Sequence, residues 1–387
     1  MNRYYNPVRT LEGAGCVSRL EEILEGMDLV RKNVLLLVWG EPLLENPAFS
    51  RLLGEGSAFA VRPMIFRASN PTVEQLYDAY RETRDFAPEV VVAVGGGSIL
   101  DVGKSLCCLY GREIPDVDAL RDLIVQKAYG RPAARWIGIP TTAGTGSETT
   151  CWATIWDPER DAKRSVECQE NYAWAALVDP ELAAGMPLKL AVSSALDAVA
   201  HAVESYWAKG SNCVSRALAL EAIRTVMGSM EDLLAGKPAA HDAMARGSML
   251  AGLAFSNTKT TACHSISYPL TMHYGIPHGV AVSILLSPVL QLNAPVLDDP
   301  EPLMVALGTA DAAELGSRIC SYLTRSGQAA SLQAWGAKRE ELPHMAELGI
   351  TKGRADNNPA PLDPATILSI LEQIYPDTTY QIKRKGA

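Results

Sequence analysis

Apolar residues run unbroken through Val34-Leu35-Leu36-Leu37-Val38 and again through Val90-Val91-Val92-Ala93-Val94. Short continuous apolar runs of this kind mark strands buried on both faces of a parallel sheet. They predict strands over residues 33–39 and 89–94, with a shorter candidate at 60–66 and another ending at Ile137-Gly138-Ile139-Pro140. Between them the pattern changes to a helical period, most clearly over residues 73–83 after the loop Asn70-Pro71-Thr72. Alternating strand and helix signals predict a parallel sheet with helices on both faces. From about Lys189 onward the strand signal fades and Ala- and Leu-rich helical segments follow, at residues 190–209, 215–234, 243–254, 302–326 and 364–374. The expected fold class is therefore α/β plus all-α, with a Rossmann-type parallel-sheet domain over 1–182 and a helical domain over 183–387.

A chain of 387 residues exceeds the size at which one core usually stops growing, which agrees with two domains. The balance of 35 basic against 44 acidic residues gives a net charge of -9, and the only basic run is the tail Lys383-Arg384-Lys385, expected to be a solvated end. Nucleic acid is not an expected partner. Residues 1–9 lack a signal-peptide core and no uninterrupted apolar run approaches membrane-spanning length, so no membrane association and a cytoplasmic location are expected. The eight cysteines form no Cys-x-x-Cys pair and no framework spacing, which predicts reduced, mostly buried thiols, Cys263 among them.

Candidate chemistry begins where the strand at 89–94 opens into Gly95-Gly96-Gly97-Ser98. Backbone N–H groups at a helix N-terminus approach a phosphate closely when the residues there are small. The same glycines can make a tight turn with no ligand. A second loop, Thr141-Thr142-Ala143-Gly144-Thr145-Gly146-Ser147-Glu148, concentrates hydroxyls and N–H donors after the next strand. Gly13-Ala14-Gly15-Cys16-Val17-Ser18 only partly mimics a dinucleotide fingerprint and is expected to begin a helix, with Ser18 and Glu21 as cap candidates.

Asp197 and His201 stand four apart in a segment free of Pro and Gly, so a helix carries both on one face, one turn apart. His264 follows the run from Thr258 to Thr261, and His278 sits in Ile276-Pro277-His278-Gly279, read as a turn. One carboxylate and three imidazoles suit Fe(II) or Zn(II) with a coordination position left open. His241 and His344 are expected at the surface, His273 at the surface or lining a cleft. Trp152 and Trp156 are expected in the core, with a pocket wall as the alternative.

With Gly95 to Ser98, Asp101, Lys104, Pro140 to Glu148, Asp179-Pro180-Glu181-Leu182, Asp197 to His201, Glu204, His264 and Pro277-His278-Gly279 in order, the chain resembles the iron-containing (group III) alcohol dehydrogenases. That family shares its fold with dehydroquinate synthase and glycerol dehydrogenase. The resemblance implies a dinucleotide-binding first domain, a helical second domain, and a divalent metal in the cleft between them. By position it implies Asp197, His201, His264 and His278 as metal ligands, with Fe(II) ahead of Zn(II). Gly96, Gly97 and Ser98 would hold the cofactor pyrophosphate. Asn70, Asp101, Thr141, Thr142, Ser147, Lys163 and Leu182 would touch the dinucleotide elsewhere. It also implies a homo-oligomer, with a dimer favoured. Gly40 stands where a carboxylate would select NAD, and Glu41 follows one place late; NAD is preferred over NADP on this ground.

Two departures bear on substrate. Many family members carry a second His four residues after the third ligand, as a proton relay; here the position is Tyr268, a phenol with an ordinary pKa of about 10. Where a Gly-rich segment is common, this chain has Lys259-Thr260-Thr261, an ammonium and two hydroxyls suited to a phosphonate or sulfonate, with Arg164 as a second cation candidate. The pattern resembles the branch reducing phosphonoacetaldehyde or sulfoacetaldehyde. A small anionic aldehyde is thus the expected substrate. Neutral short-chain alcohols or diols are the alternative, and a dehydroquinate synthase-like lyase is the rival of another class.

Overall fold

The computed structural model describes residues 3–160 and 162–376 and divides into two compact units. The tail Lys383-Arg384-Lys385 lies outside the described residues. One unit holds Asn6–Thr142 and Gly146–Ala183; the other holds Ala184 onward, Ala143–Thr145, and the N-terminal residues up to Tyr5.

The first unit carries strands β1 (Arg9–Glu12), β2 (Asn33–Val38), β3 (Ala60–Ile65), β4 (Val90–Gly95), β5 (Arg135–Pro140), β6 (Trp152–Asp157), β7 (Ala162–Glu167) and β8 (Ala175–Val178). Six of them form one parallel sheet in the order β1-β8-β5-β4-β2-β3. Helices α1 (Leu20–Glu25), α2 (Pro47–Leu53), α3 (Val73–Thr83), α4 (Gly97–Leu109), α5 (Val117–Val125) and α6 (Pro180–Ala183) connect or follow the strands. The side-chain period of two divides the apolar runs between two cores. Leu35, Leu37, Val91 and Ala93 pack on one face with residues of α3, α4 and α5. Val34, Leu36, Val38, Val90, Val92 and Val94 pack on the other with residues of α1 and α2. The expected parallel sheet with helices on both faces is what forms.

Four strands lacked a recognised signal. β1 and β8 have only four residues each. β6 and β7 form a separate antiparallel hairpin containing charged Lys163 and Arg164. The Gly13–Ser18 stretch does follow a strand, β1, and serves another purpose than a capped helix start. Gly15 takes a left-handed φ of 75°, no side chain caps the following turn, and the N–H groups of Gly15 and Val17 donate to the Asp179 carboxylate (3.2 and 3.1 Å). The loop before α1 is thereby tied to the end of β8.

The second unit is helical: α7 (Leu188–Trp207), α8 (Cys213–Leu234), α9 (Ala239–Thr258), α10 (Ala262–Tyr274), α11 (His278–Asn293), α12 (Glu301–Leu307), α13 (Ala312–Arg325), α14 (Leu342–Leu348) and α15 (Pro364–Ile374). The helix expected over 302–326 is two helices, because Gly308 adopts a left-handed φ of 65° and Asp311 starts α13 by accepting from the Glu314 N–H. α10 and α11 went unrecognised because each carries an internal proline, Pro269 and Pro288. His278 belongs to the first turn of α11, not to a free turn. The stretch His278–Val296 is apolar and long enough to cross a membrane, contrary to expectation, but 61% of it is buried in the protein. All eight cysteines are free.

Within the α/β unit one buried cation ties together the loops at the ends of β4 and β5. Lys104 of α4 is fully buried, and its Nζ donates to Ser147 Oγ (2.6 Å), Thr150 Oγ1 (2.8 Å), the Trp152 carbonyl (2.8 Å) and Asp101 Oδ1 (3.3 Å). Burial lowers its pKa, with Asp101 pulling the other way. Asp101 is saturated as well, accepting from Ser147 Oγ (2.7 Å) on Oδ1 and from the Thr154 N–H (2.8 Å) on Oδ2. Replacing Lys104 by Met leaves the Asp101 carboxylate without its cation. The expected cost is about 3–5 kcal/mol, read as a lower urea midpoint of unfolding.

Candidate metal centre and dinucleotide loops

In the helical unit, α7 places Asp197, His201 and Glu204 along one face, at spacings of four and three. α10 contributes His264 and α11 contributes His278. Asp197 Oδ1 lies 3.8 Å from His201 Nδ1, 3.5 Å from His264 Nε2 and 3.9 Å from His278 Nε2. Asp197, His201 and His264 thus bring one donor atom each to within 4.8 Å of one another, and His278 stands beside them with its Nε2 near Asp197. Gly279 makes the approach of α11 possible, since a Cβ there would stand 2.2 Å from the Ser193 carbonyl oxygen.

Among the described residues Asp197 Oδ1, His201 Nδ1 and His264 Nε2 are buried with no hydrogen-bond partner, although buried polar atoms are nearly always paired. They are three acceptors aimed at one place. Glu204 holds the His264 Nδ1 through a short contact, which turns Nε2 toward Asp197. Its other oxygen accepts from Thr261 Oγ1 (2.9 Å) and the Cys263 N–H (2.6 Å), fastening the start of α10. The His201 ring stacks on Phe255 at 4.3 Å between centroids.

The electrostatics follow from two buried carboxylates among three imidazoles. Burial opposes the charge on Asp197, but His201 and the other imidazoles hold its carboxyl well below the usual range. Burial depresses His201 to about 4, leaving it a neutral donor. Burial opposes protonation of His264 too, yet Glu204 and Asp197 raise its pKa on balance. When the imidazoles are neutral, as ligands to an ion must be, Asp197 and Glu204 carry two formal negative charges in a buried place, the charge a divalent cation neutralises. Donor set, charge and unpartnered atoms all fit such an ion.

Other residues singled out around this cluster fall out differently. Tyr268 is buried one helical turn after His264, its ring stacked on His278 (6.2 Å, 12°). Burial pushes its phenol up to about 12, so it carries its proton at neutral pH. Lys259 is not in a helix: α9 ends at Thr258, and Lys259 is an exposed residue with a left-handed φ of 61°. Thr261 is engaged with Glu204 and with Trp207 Nε1 (2.8 Å). His273 is exposed, near His344. Cys263 is buried, and burial holds its thiol well above the ordinary range.

In the α/β unit the loops at the C-terminal ends of β3, β4 and β5 bring together Asn70, Gly96, Gly97, Ser98, Thr141 and Thr142. Gly96 starts α4 with no side-chain cap, and a Cβ on it would sit 3.2 Å from Thr142 Cγ2. The Thr141 N–H donates to the Gly95 carbonyl (3.0 Å), while Thr142 Oγ1 is buried without a partner among the described residues. Asn70, with φ 54°, donates its N–H to Ser98 Oγ (3.0 Å). A helix N-terminus open to an anion beside an unpartnered hydroxyl can take a phosphate. Asp101 and Ser147 lie within the Lys104 network instead, each already hydrogen-bonded. Lys163 is on β7, over the Trp156 ring (5.2 Å), and Leu182 is in α6, packed against the sheet core. Arg164 is no free cation: it pairs with the buried Asp157 (3.0 Å). Trp156 is buried, as expected of a core aromatic, and Trp152 partly so. Glu41 is exposed and ion-paired with Arg67.

Two further residues were given no role from sequence. Glu204 was visible as a same-face neighbour of Asp197 and His201, but no spacing links it to His264 sixty residues on. Arg354, which stands over the Tyr268 ring (5.1 Å), had no local signal at all.

Comparison with known proteins agrees with this geometry. Residues 7–180 match the family described as iron-containing alcohol dehydrogenase, and residues 191–375 match the Fe-containing alcohol dehydrogenase family, C-terminal. The chain is 29% identical to a phosphonoacetaldehyde reductase of Streptomyces viridochromogenes, covering 90% of this chain and 95% of the relative. It is 30% identical to a 1,3-propanediol dehydrogenase of Klebsiella pneumoniae, covering 79% and 81%. Among solved structures it is similar to the sulfoacetaldehyde reductase from Bifidobacterium kashiwanohense in complex with NAD+, with a TM-score of 0.85, 25% identity, and 97% and 98% of the two chains covered. A parallel-sheet unit, a helical unit with an Asp/His donor cluster, and family matches over nearly the whole chain have one reading: the chain belongs to the iron-containing alcohol dehydrogenase family of metal-dependent, NAD(P)-linked oxidoreductases.

Proposed function

We propose that this enzyme reduces a short anionic aldehyde to its alcohol with NADH, sulfoacetaldehyde to isethionate or phosphonoacetaldehyde to 2-hydroxyethylphosphonate. The observation that carries this is the polar turn Lys259-Thr260-Thr261 directly before the helix bearing His264, where Thr260 Oγ1 also accepts from Arg354 Nε (3.2 Å), so that basic and hydroxyl groups gather beside the donor cluster. Similarity to a phosphonoacetaldehyde reductase and a sulfoacetaldehyde reductase supports it. Similarity to a 1,3-propanediol dehydrogenase supports the alternative, a neutral short-chain alcohol or diol.

In this reading Asp197, His201, His264 and His278 hold a divalent ion, Fe(II) ahead of Zn(II), and that ion supplies Lewis acidity toward the carbonyl oxygen. Glu204 fixes the His264 ring, and the surrounding helices bury Asp197, His201 and His264 while His278 stays partly exposed. Tyr268, protonated at neutral pH, is an acid able to return a proton to the alkoxide side of the reaction, not a base that removes one. Gly96, Gly97 and Ser98 hold the pyrophosphate of NAD at the start of α4, with Asn70, Thr141 and Thr142 beside them. Asp101 and Ser147 support these loops through Lys104; Lys163 and Leu182 are the outlying dinucleotide contacts. The domains expected over 1–182 and 183–387 divide the labour accordingly, and a cytoplasmic homodimer is the proposed working form.

NADH and NADPH consumption by metal-reconstituted protein is expected to be fastest with sulfoacetaldehyde or phosphonoacetaldehyde among a panel that includes acetaldehyde and lactaldehyde. Equal or better turnover of the neutral aldehydes would overturn the anionic reading. Net oxidation of NADH also separates a reductase from a dehydroquinate synthase-like lyase, which regenerates its cofactor.

Chelation is expected to abolish this activity and Fe(II) to restore it. Glu204→Gln is expected to weaken metal affinity by roughly 10–100-fold, measured by competition with a chromogenic chelator. Unchanged affinity would remove Glu204 from the support of His264.

A further inference from the structure

We propose that Arg354, and not Lys259, is the specificity-determining cation that binds the oxyanion end of the substrate, an inference that rests on the anionic-aldehyde function proposed above. Arg354 lies in the segment between α14 and α15, which is pinned to the turn before α10. Ser265 Oγ donates to the Gly349 carbonyl (2.6 Å) and accepts from the Thr351 N–H (2.8 Å). Asn357 Nδ2 donates to the carbonyls of Thr258 (2.9 Å) and Thr260 (3.1 Å), and its own carbonyl accepts from the Lys209 N–H (3.1 Å). The guanidinium is therefore carried on an anchored loop.

Its own contacts aim it. Arg354 Nε donates to Thr260 Oγ1 (3.2 Å), and its guanidinium carbon stands 5.1 Å from the centroid of the Tyr268 ring. That ring is the one stacked on His278. Two ring contacts thus connect the guanidinium to the donor cluster.

What Arg354 lacks is a counter-ion. Among the described residues no carboxylate lies within 4.0 Å of it, and neither η nitrogen donates to a protein acceptor. Among the described residues Arg216 shares this lack of a carboxylate, its Nε donating to Ser211 Oγ (3.1 Å), but it stands over the Tyr206 ring and not over Tyr268; two other shielded arginines are satisfied. Arg121 pairs with Asp157, Glu74, Asp118 and Glu159, and Arg318 donates to the carbonyls of Leu307 and Gly308. A partly buried guanidinium held by Nε alone leaves its fork of N–H donors for a planar or tetrahedral oxyanion, which it can bind bidentately. Sulfonate and phosphonate share that chemistry. Lys259, exposed and on a flexible stem at a helix end, offers a hydrated point charge without such aim.

The test compares wild type, Arg354→Met, Arg354→Lys and Lys259→Ala as metal-loaded enzymes on sulfoacetaldehyde, phosphonoacetaldehyde and neutral propionaldehyde. It adds calorimetric binding of isethionate as a readout that involves no turnover. Arg354→Met is expected to lower the anionic-to-neutral ratio of kcat/KM by roughly 10- to 150-fold, mainly through KM, and to weaken isethionate binding by a similar factor. Arg354→Lys is expected to recover part of both, and Lys259→Ala to lower the ratio less than Arg354→Met does. If Arg354→Met slows all three aldehydes equally, the residue only supports the Tyr268 ring and the proposal is wrong. A preference retained in Arg354→Met but lost in Lys259→Ala overturns it in favour of the lysine. Wild type that prefers propionaldehyde would sink the anionic-aldehyde function itself, and this inference with it.

Discussion

Two carboxylates buried in an apolar helical core are the constraint around which the helical unit is built. Asp197 and Glu204 sit on the same helix, nearly or fully inaccessible to water, and ionised carboxylates in such a place require compensation. The unit supplies it with three imidazoles drawn from three helices. Glu204 takes one side of His264 and the start of α10; Asp197 faces the other side, with His201 and His278. The residual charge and the unpartnered acceptors are what a divalent cation satisfies. The packing of α7, α10 and α11 and the readiness for metal thus have one cause.

The α/β unit solves a related problem with the opposite sign. A single buried ammonium, Lys104, is compensated by one carboxylate and by three oxygen acceptors from residues 147–152. Because Lys104 lies on the helix that follows the Gly-rich loop, the loop after β4 and the loop after β5 are held at a set distance. Gly96 and Thr142 then face each other closely enough that only a glycine fits comfortably at the first. Asp101 and Ser147 belong to this scaffold. Their side chains are spent on holding the loops, which leaves the backbone N–H groups at the start of α4 as the anion donors.

Cations divide in the same way between those already neutralised and those available. Arg164 is bound to a buried aspartate, Arg121 to four carboxylates, and Lys259 projects from a helix end. Arg354 alone among these is partly buried, oriented, and without a carboxylate. Substrate charge would be read by geometry of this kind more than by the presence of a basic residue beside a ligand in the chain.

The sequence by itself determined whatever depends on local periodicity. Runs such as Val34–Val38 and Val90–Val94 carry a strand's full burial on both faces, and the i,i+4 spacing of Asp197 and His201 sets both on one side of a helix; the family motifs extended this to His264 and His278. Short strands such as β1 and β8 carry too few residues for a period, and the internal prolines of α10 and α11 mask theirs. Only the tertiary structure decided which polar groups are already committed. It showed Asp101 and Ser147 occupied by Lys104, Arg164 by Asp157, and Thr261 by Glu204, and it set Arg354 over Tyr268 across eighty-six positions of chain. Hydrogen-bond saturation and charge pairing are relations between residues distant in sequence, and no local pattern encodes them.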